Sequence, residues 1–212
     1  MNPRLRLERA RLYLVLEARP RGEDPSALLD AALRGGVDVV QLRDKDLSAD
    51  EIARAAAPFR RACDAHDALF VLNDRPDLVG ACGADGVHVG QADTSVTEAR
   101  AAVGPDRIVG LSIETEAQLD AIAGADYLGV GAVFATPTKT DSVAGGLELV
   151  RATAARVTAP WFAIGGIELA NVAEVVAAGA PGVAVVRAIR DADDPEAVAR
   201  SLRAALGEPP AA

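Results

Sequence analysis

The chain has 212 residues, of which 50% are hydrophobic and 25% charged, so it can bury a full core and global disorder is excluded. Its net charge of −9 argues against a nucleic-acid surface held by bulk electrostatics, although a local cluster of cations could hold a small anionic substrate. Cys63 and Cys82 fit neither CxxC nor a metal-ligand spacing, which predicts inert, buried thiols in a reducing compartment. No apolar run suits a signal peptide or a membrane span, so we expect a soluble, cytoplasmic protein.

Eight short apolar runs predict eight strands along the chain. They show no clear alternation of apolar and polar residues, as expected of parallel strands that helices cover on the outside. The predicted strands span residues 12–16, 37–42, 69–72, 85–89, 107–111, 126–133, 161–164 and 182–186.

A helix is predicted after each strand, and capping signals mark several helix ends. Asp24 followed by Pro25 begins the first helix, and Ser48 with Glu51 three residues later is a capping box that opens the second, which runs to about residue 66. The remaining helices are predicted at residues 76–82, 94–103, 114–123, 147–157, 169–178 and 195–206.

Eight strand–helix units in about 200 residues predict a (β/α)8 TIM barrel, an α/β fold. The rival is a doubly wound open sheet, which usually has fewer strands and a glycine-rich first turn, and no GxGxxG follows the first strand. We expect one domain over residues 1–212, with its core at about 12–206, a short amino-terminal arm and a frayed tail at 208–212. The oligomeric state stays open, a homo-oligomer included.

The segment 129–141, GVGAVFATPTKTD, draws attention to the carboxyl end of the sixth strand. Pro137 fixes its own φ and disfavours helix at Thr136, so the chain leaves the strand as a loop. Of the 22 Lys and Arg residues only Lys45 and Lys139 are lysines, and both follow predicted strands. Active sites of (β/α)8 barrels lie at this end of the strands, so these residues are candidates for chemistry.

The polar residues at the strand ends suit a phosphate-bearing ligand together with a metal ion. Cations and the backbone N–H groups of a glycine turn bind phosphate oxygens, and two carboxylates suit Mg²⁺, which prefers few protein oxygens plus substrate phosphates. The pattern predicts diphosphate chemistry assisted by a metal, without a covalent nucleophile. The residues are Gln41, Arg43, Asp44, Lys45, Asn73, Asp74, Asp93, Ser112, Thr136, Thr138, Lys139, Gly166, Val186 and Arg187.

Several of these residues, and His88 at the end of the fourth strand, also have a simpler explanation. Asp74 and Asp93 could each cap the helix that follows. Arg43 and Lys45 could be solvated charges, and His88 could be a hydrogen-bonded residue of the barrel interior. What favours a functional site is that all of them share one end of one fold.

Six motifs, in this order and spacing, resemble those of the thiamine-phosphate synthase family: QLRDK (41–45), ND (73–74), DGVHVGQAD (85–93), GLS (110–112), GVGAVFATPTK (129–139) and AIGGI (163–167). The resemblance covers about residues 12–206. It implies a transferase of thiamine biosynthesis that joins 4-amino-2-methyl-5-(diphosphooxymethyl)pyrimidine to a carboxylated thiazole phosphate, releasing pyrophosphate and CO₂. It also implies a dissociative route, in which the CH₂–O bond of the pyrimidine breaks before the thiazole nitrogen attacks.

The resemblance implies three groups of site residues by position. The pyrimidine diphosphate would contact Gln41, Leu42, Arg43, Asp44, Lys45, Asn73, Ser112 and Lys139, of which Arg43, Lys45, Ser112 and Lys139 would be catalytic. Asp74 and Asp93 would hold Mg²⁺. The thiazole phosphate would contact Thr136, Pro137, Thr138, Gly166, Val186 and Arg187.

One position departs from the family pattern, because Arg187 stands where the family usually has serine. Its side chain could grip the thiazole phosphate, or point away and leave that role to backbone N–H groups. Two other functions stay open. One is a thiazole tautomerase-like isomerase, which would not need the diphosphate and metal residues; the other is a non-catalytic barrel that binds a thiamine-pathway phosphate.

Overall fold

The structure is a computed structural model that describes residues 2–135 and 145–207. Its eight parallel strands close into a barrel in chain order, with β1 paired to β8, so the (β/α)8 prediction is confirmed. The strands are β1 Leu12–Leu16, β2 Val39–Leu42, β3 Leu69–Asn73, β4 Gly86–Val89, β5 Ile108–Ile113, β6 Tyr127–Val130, β7 Trp161–Ile164 and β8 Val183–Val185.

Helices and short 3₁₀ turns connect the strands around the outside of the barrel. The helices are α1 Pro3–Arg9, α2 Ser26–Arg34, α3 Ala49–Ala65, α4 Val79–Cys82, α5 Val96–Val103, α6 Gly146–Arg156, α7 Val172–Ala177, α8 Arg187–Arg190 and α9 Pro195–Ala205. The 3₁₀ turns are Pro20–Gly22, Pro76–Leu78 and Glu116–Ala121. In the part of the chain that the structure describes, no helix combines the length and the apolar character that crossing a membrane requires.

Alternate side chains along the strands belong to two separate hydrophobic clusters, to which every strand but β4 contributes on both faces. In β1, Leu12, Leu14 and Leu16 belong to the large cluster beneath the helices, whereas Tyr13 and Val15 belong to the cluster inside the barrel. All five side chains are buried, because both faces of the sheet are covered. This is why the sequence showed apolar runs in place of alternation.

The first residues form a helix where the sequence predicted only a short arm. The Asn2 side chain caps α1 by accepting a hydrogen bond from the backbone of Arg4 at 2.9 Å, and Pro3 fills the first helical position. Leu7 is buried in the barrel-interior cluster, so α1 covers the amino-terminal end of the barrel. The sequence did not indicate this helix, because seven residues with one buried side chain are too few to show a helical period.

Several other predicted elements, among them β2, α7 and β8, are shorter in the structure. The sixth strand ends at Val130, not at residue 133. The helix predicted at 114–123 is the 3₁₀ turn Glu116–Ala121, in which Leu119 is the single buried residue. One anchor gives no apolar stripe along which a longer α-helix could pack.

Three aspartates tie pairs of strands together at the amino-terminal end of the barrel. Asp38, Asp85 and Asp126 each stand directly before an even-numbered strand, β2, β4 and β6. Each carboxylate accepts a hydrogen bond from the backbone of the preceding odd-numbered strand. The donors are Leu12, Phe70 and Val109, at 2.9, 2.8 and 2.8 Å respectively.

The last strand pair is joined differently. Gly182 stands at the position before β8, where the other even-numbered strands have an aspartate. β7 and β8 are paired through Ala163 with Val183 and Ile164 with Ala184, whereas β1 and β2 are paired through four residues each. The β7–β8 pair therefore has a shorter ladder and no carboxylate tie of this kind.

Buried acidic groups give the fold a predictable response to alkaline pH. Burial raises the pKa of the Cys63 thiol from its ordinary 9.0 to about 12. It also raises the pKa values of Tyr13 and Tyr127 above the ordinary 10.0. The folded protein therefore keeps protons that the unfolded chain loses, so the stabilisation is complete below about pH 9 and is lost as the pH rises.

We expect the free energy of unfolding to fall above about pH 9, by up to about 1.4 kcal/mol per pH unit for each such group. Urea unfolding between pH 7 and pH 11 measures this slope. Cys63→Ala should flatten the first part of the fall, because the variant lacks the most acidic of the three groups. A slope that is the same in wild type and Cys63→Ala would contradict the prediction.

Candidate functional site

A cavity of about 630 Å³ opens at the carboxyl ends of the strands. Its volume lies within the usual range for small-molecule sites, roughly 300–1,000 Å³. The structure brings together most residues that the sequence placed at this end. Those that line the cavity are Gln41, Arg43, Lys45, Asn73, Asp74, Asp93, Ser112, Gly166, Val186 and Arg187.

Two predicted contact residues do not line the cavity. Leu42 packs in the cluster beneath the helices, because side chains alternate along a strand and both of its neighbours face inward. The Asp44 carboxylate points instead to the backbone of Ala18, from which it accepts a long hydrogen bond of 3.4 Å. The predicted loop residues Thr136, Pro137, Thr138 and Lys139 lie outside the described residues.

Asp74 and Asp93 bring two carboxylates to the cavity beside Lys45. The Lys45 Nζ atom lies 3.3 Å from Asp74 Oδ2, and Asn73 Nδ2 donates a hydrogen bond to the same oxygen at 2.6 Å. Loss of hydration and the nearby charge of Asp93 raise the pKa of Asp74, against the opposing effect of Lys45. Two carboxylates that repel one another in a partly buried site are stabilised by a bound cation.

Neither aspartate caps a helix, so both cap explanations are wrong. Asp74 has a left-handed backbone (φ 58°), and Arg75 occupies the cap position of the next 3₁₀ turn. The Asp93 carboxylate accepts a hydrogen bond from the backbone of Gly90 at 3.0 Å, while Ser95 caps α5. A non-glycine residue at positive φ must be held by its surroundings, and such residues cluster at functional sites.

The donor set suits a hard cation better than a transition metal. Within residues 2–135 and 145–207, no group of three or more His, Cys, Asp or Glu side chains is arranged to hold a metal ion. Mg²⁺ needs no such group, because it usually takes one or two carboxylates, substrate phosphates and waters. The residues present therefore fit Mg²⁺, and its binding here stays a prediction.

A glycine turn and the start of α8 form the other side of the cavity. Gly165 and Gly166 both have positive φ, at 105° and 64°. A Cβ atom at residue 166 would lie 2.8 Å from Phe134 Cβ, so the turn needs glycine for both its conformation and its space. Arg187 is exposed, begins α8 and lines the same cavity as the turn, to which it adds a cation.

Four charged residues that line the cavity were not predicted from the sequence: Glu17, Glu168, Arg190 and Asp191. Arg190 Nη1 lies 3.1 Å from Glu17 Oε1, and Arg190 Nε lies 2.7 Å from Asp191 Oδ1. Glu17 directly follows β1, so the strand-end rule would have found it if applied to the first strand. Arg190 and Asp191 lie one helical turn beyond β8, because α8 turns the chain back over the cavity.

The floor of the cavity is aromatic, which was not predicted from the sequence. Both tyrosines of the chain lie here and pack against Phe162, with ring centroids 5.2 Å away for Tyr13 and 6.0 Å for Tyr127. Their positions in the sequence could have indicated this, because each lies on the inward face of its strand together with another cavity residue. His88 is a hydrogen-bonded interior residue, as its simpler explanation predicted, with partners Tyr127 and Ser112.

Comparison with known proteins gives the site its context. A family model described as thiamine monophosphate synthase matches residues 12–189. The thiamine-phosphate synthase of Streptomyces avermitilis is 49% identical over 201 residues, covering 93% of this chain and 94% of that protein. That of Thermobifida fusca is 48% identical over 207 residues, covering 96% and 95%. The structure of thiamine phosphate pyrophosphorylase from Pyrococcus furiosus superposes with a TM-score of 0.85 at 33% identity, covering 95% of this chain and 97% of the other.

Proposed function

The chain belongs to the thiamine-phosphate synthase family of transferases, and on that premise we propose that it joins 4-amino-2-methyl-5-(diphosphooxymethyl)pyrimidine to a thiazole phosphate with the help of Mg²⁺. The observation that carries the proposal is the meeting of cations, two carboxylates and a glycine turn around one cavity. Thiamine phosphate and pyrophosphate are the products, with CO₂ as a third when the thiazole carries a carboxyl group. The cytoplasmic location stays a prediction from the sequence.

The chemistry needs stabilisation of a leaving group more than it needs a base. The amino group of the pyrimidine pushes electrons toward the CH₂–O bond, which breaks with its electron pair going to pyrophosphate. The lone pair of the thiazole nitrogen then forms the new C–N bond, and no proton has to leave that nitrogen. This agrees with a cavity floor of neutral, buried side chains.

Arg43 and Lys45 would bind the departing diphosphate. Both lie at the cavity mouth, and Lys45 is already next to the carboxylate of Asp74. Fixed cations that face developing negative charge lower the barrier because they need no reorganisation during the reaction. We assign the same role to Lys139 from the sequence.

Asp74 and Asp93 would hold the metal ion. Mg²⁺, when bound, would neutralise part of the charge that develops on the pyrophosphate oxygens. Asn73 supports Asp74 through its 2.6 Å hydrogen bond, and Gly90 supports Asp93 through a backbone hydrogen bond of 3.0 Å. Such bonds orient the carboxylates before the ion arrives.

The thiazole phosphate would bind on the opposite side of the cavity. The Gly165-Gly166 turn offers backbone N–H groups, and Arg187 offers a cation beside it. The phosphate would thus be held apart from the diphosphate, leaving the ring nitrogen to face the CH₂ group. Holding the two reactants in this order converts their encounter into an intramolecular step.

Incubation of the metal-free protein with both substrates tests the proposal. We expect thiamine phosphate and pyrophosphate to form only when Mg²⁺ is added. Asp74→Asn and Asp93→Asn should each raise the Mg²⁺ concentration needed for half-maximal rate by at least about tenfold, since a ligand is lost. Asp77→Asn is the matched control, because Asp77 pairs with Arg75 at 2.7 Å and does not line the cavity.

Other outcomes would change the assignment. Isomerisation of the thiazole without pyrophosphate release would support a tautomerase. Binding of the thiazole phosphate with neither reaction would support a non-catalytic barrel. Equal rates with and without Mg²⁺ would remove the metal from the proposal and leave the synthase activity.

A further inference from the structure

A continuous chain of hydrogen bonds crosses the inside of the barrel beneath the cavity. Its successive distances are 2.8, 3.0, 3.1 and 3.0 Å, and both of its ends line the cavity. The five residues that form this interior network are, in order, Gln41 on β2, Tyr13 on β1, Tyr127 on β6, His88 on β4 and Ser112 on β5.

The network is buried, and it requires that residue 110 has no side chain. Tyr13 and Tyr127 are 2% and 1% exposed, and His88 is 9% exposed. A Cβ atom at Gly110 would lie 2.2 Å from Tyr127 Cζ and 2.5 Å from His88 Nδ1. Glycine at residue 110 therefore lets Tyr127 and His88 meet across the inner face of β5.

The network has a direction, because each tyrosine hydroxyl has one hydrogen and two partners within it. Gln41 Nε2 donates to Tyr13, and either tyrosine could donate in the bond between Tyr13 and Tyr127. The Tyr13 hydrogen has an acceptor within the network only when Tyr13 donates to Tyr127. By the same count Tyr127 would donate to His88 Nδ1, which requires the His88 tautomer that carries its hydrogen on Nε2 and donates it to Ser112 Oγ. A mixed direction would leave a hydroxyl hydrogen or a ring nitrogen without a partner within this buried network, which is unfavourable.

The direction decides what each end offers to a ligand. Gln41 has its NH₂ group turned to Tyr13, so its carbonyl oxygen is the group that accepts a hydrogen bond from a ligand. Ser112 accepts a hydrogen bond from His88, so it can donate its own hydroxyl hydrogen to an acceptor atom of the ligand. Reversing the whole network, with the Gln41 amide turned over, would exchange these two properties.

We infer that the interior network fixes the hydrogen-bonding polarity of Gln41 and Ser112 together, so that the cavity selects a ring with a donor facing Gln41 and an acceptor facing Ser112. Tyr13, Tyr127 and His88 are positioning residues in this scheme. They act through the two end residues, which are the ones that reach the ligand.

An aminopyrimidine has the required pattern. Its exocyclic amino group donates and the adjacent ring nitrogen accepts. Oxygen in place of the amino group reverses both properties, since the ring then carries a carbonyl oxygen and an N–H group. The inference rests on the proposed function for the identity of this ring, and it adds a reason why the amino form would be preferred over the oxo form.

The first test needs no ligand and no activity. The chain has two histidines, so nitrogen NMR with a His66→Gln variant for assignment reads the state of His88 directly. We expect a neutral ring with its hydrogen on Nε2. A hydrogen on Nδ1, or on both nitrogens, would overturn the inference whatever the enzyme makes.

The second test measures binding of two unreactive probes by calorimetry: 4-amino-2-methyl-5-(phosphooxymethyl)pyrimidine and its 4-oxo analogue. The wild type should bind the amino probe roughly 100-fold more tightly, as a site built for one hydrogen-bonding pattern rejects the reverse. Tyr127→Phe keeps the ring but removes the hydroxyl, so Tyr13 can either accept from Gln41 Nε2 or donate to Gln41 Oε1, and the amide is no longer held in one orientation. We expect the preference to fall at least about tenfold; an unchanged ratio would refute the inference.

Two further variants separate this role from simple packing. Tyr13→Phe combined with Tyr127→Phe should lower the ratio no further than Tyr127→Phe alone, because the two residues act in one chain; additive losses would contradict this. Thr153→Val is the matched control, since it removes a buried hydroxyl that bonds Leu149 O at 2.8 Å in α6, and it should keep the wild-type ratio. Failure of the wild type to form thiamine phosphate would sink the proposed function alone, because the NMR result is independent of it.

Discussion

Lys45→Ala is expected to lower kcat by about 10²–10³-fold while leaving the fold intact, because loss of one fixed charge stabiliser typically costs this much. Lys45 is 54% exposed, and its partner Asp74 lies 3.3 Å away. An ion pair this exposed contributes at most about 1 kcal/mol to stability. The loss should therefore appear in turnover and not in the free energy of unfolding.

Steady-state kinetics and urea unfolding of the same samples measure both quantities. Lys45→Arg should keep more activity than Lys45→Gln, because the positive charge of Lys45, and not its carbon chain, stabilises the leaving group. Arg151→Ala is the control, because Arg151 is 53% exposed and pairs with Glu148 on α6, outside the cavity lining. If Lys45→Ala turns over within about twofold of wild type, Lys45 has no part in stabilising the leaving group.

The second large effect is expected at the other end of the barrel. Asp85→Ala should destabilise the protein by about 2–4 kcal/mol, because it leaves a buried backbone N–H and a partly buried guanidinium without this carboxylate. Asp85 Oδ2 accepts from Phe70 N at 2.8 Å and from Arg60 Nη1 at 2.9 Å. Phe70 is completely buried, so its backbone N–H loses its acceptor within the protein.

Thermal unfolding should show this loss as a fall in Tm of roughly 5–15 °C for a domain of this size. Asp64, the other partner of Arg60, is 67% exposed. Asp64→Ala should therefore change the free energy of unfolding by no more than about 0.5 kcal/mol. The kinetic constants of Asp85→Ala at low temperature should stay close to wild type, because the cavity lies at the opposite ends of the strands. Equal destabilisation by the two variants would mean that Asp85 acts only as a surface charge.

The barrel was predictable because its strands carry the same signal eight times. A parallel strand covered on both faces must be apolar throughout, and runs such as 12–16 and 161–164 coincide with β1 and β7. The strand-end rule then placed Gln41, Asn73 and Ser112 at one mouth, because parallel strands all end on the same side. Local sequence and topology were sufficient for these residues.

Other features depend on contacts that the sequence does not display. Leu42 sits between two cavity residues, and only the pleat of β2 turns it outward. α1 is held by Leu7 in the barrel interior, a contact with strands far along the chain. The meeting of Tyr13, Tyr127 and His88 requires closure of the barrel and the space above Gly110, so single-strand patterns could not show it.

At the amino-terminal end of the barrel, aspartate carboxylates link three of the four strand pairs by hydrogen bonds, and the fourth pair has no such link. The fourth pair is β7 and β8. Gly182 stands where the other pairs have an aspartate, and the ladder is shorter than that of β1 and β2. The cavity ends of these same two strands carry the Gly165-Gly166 turn and the start of α8. A phosphate held between those two segments would link β7 and β8 at their carboxyl ends. The substrate itself would then supply the link between this strand pair that the aspartates supply between the other three.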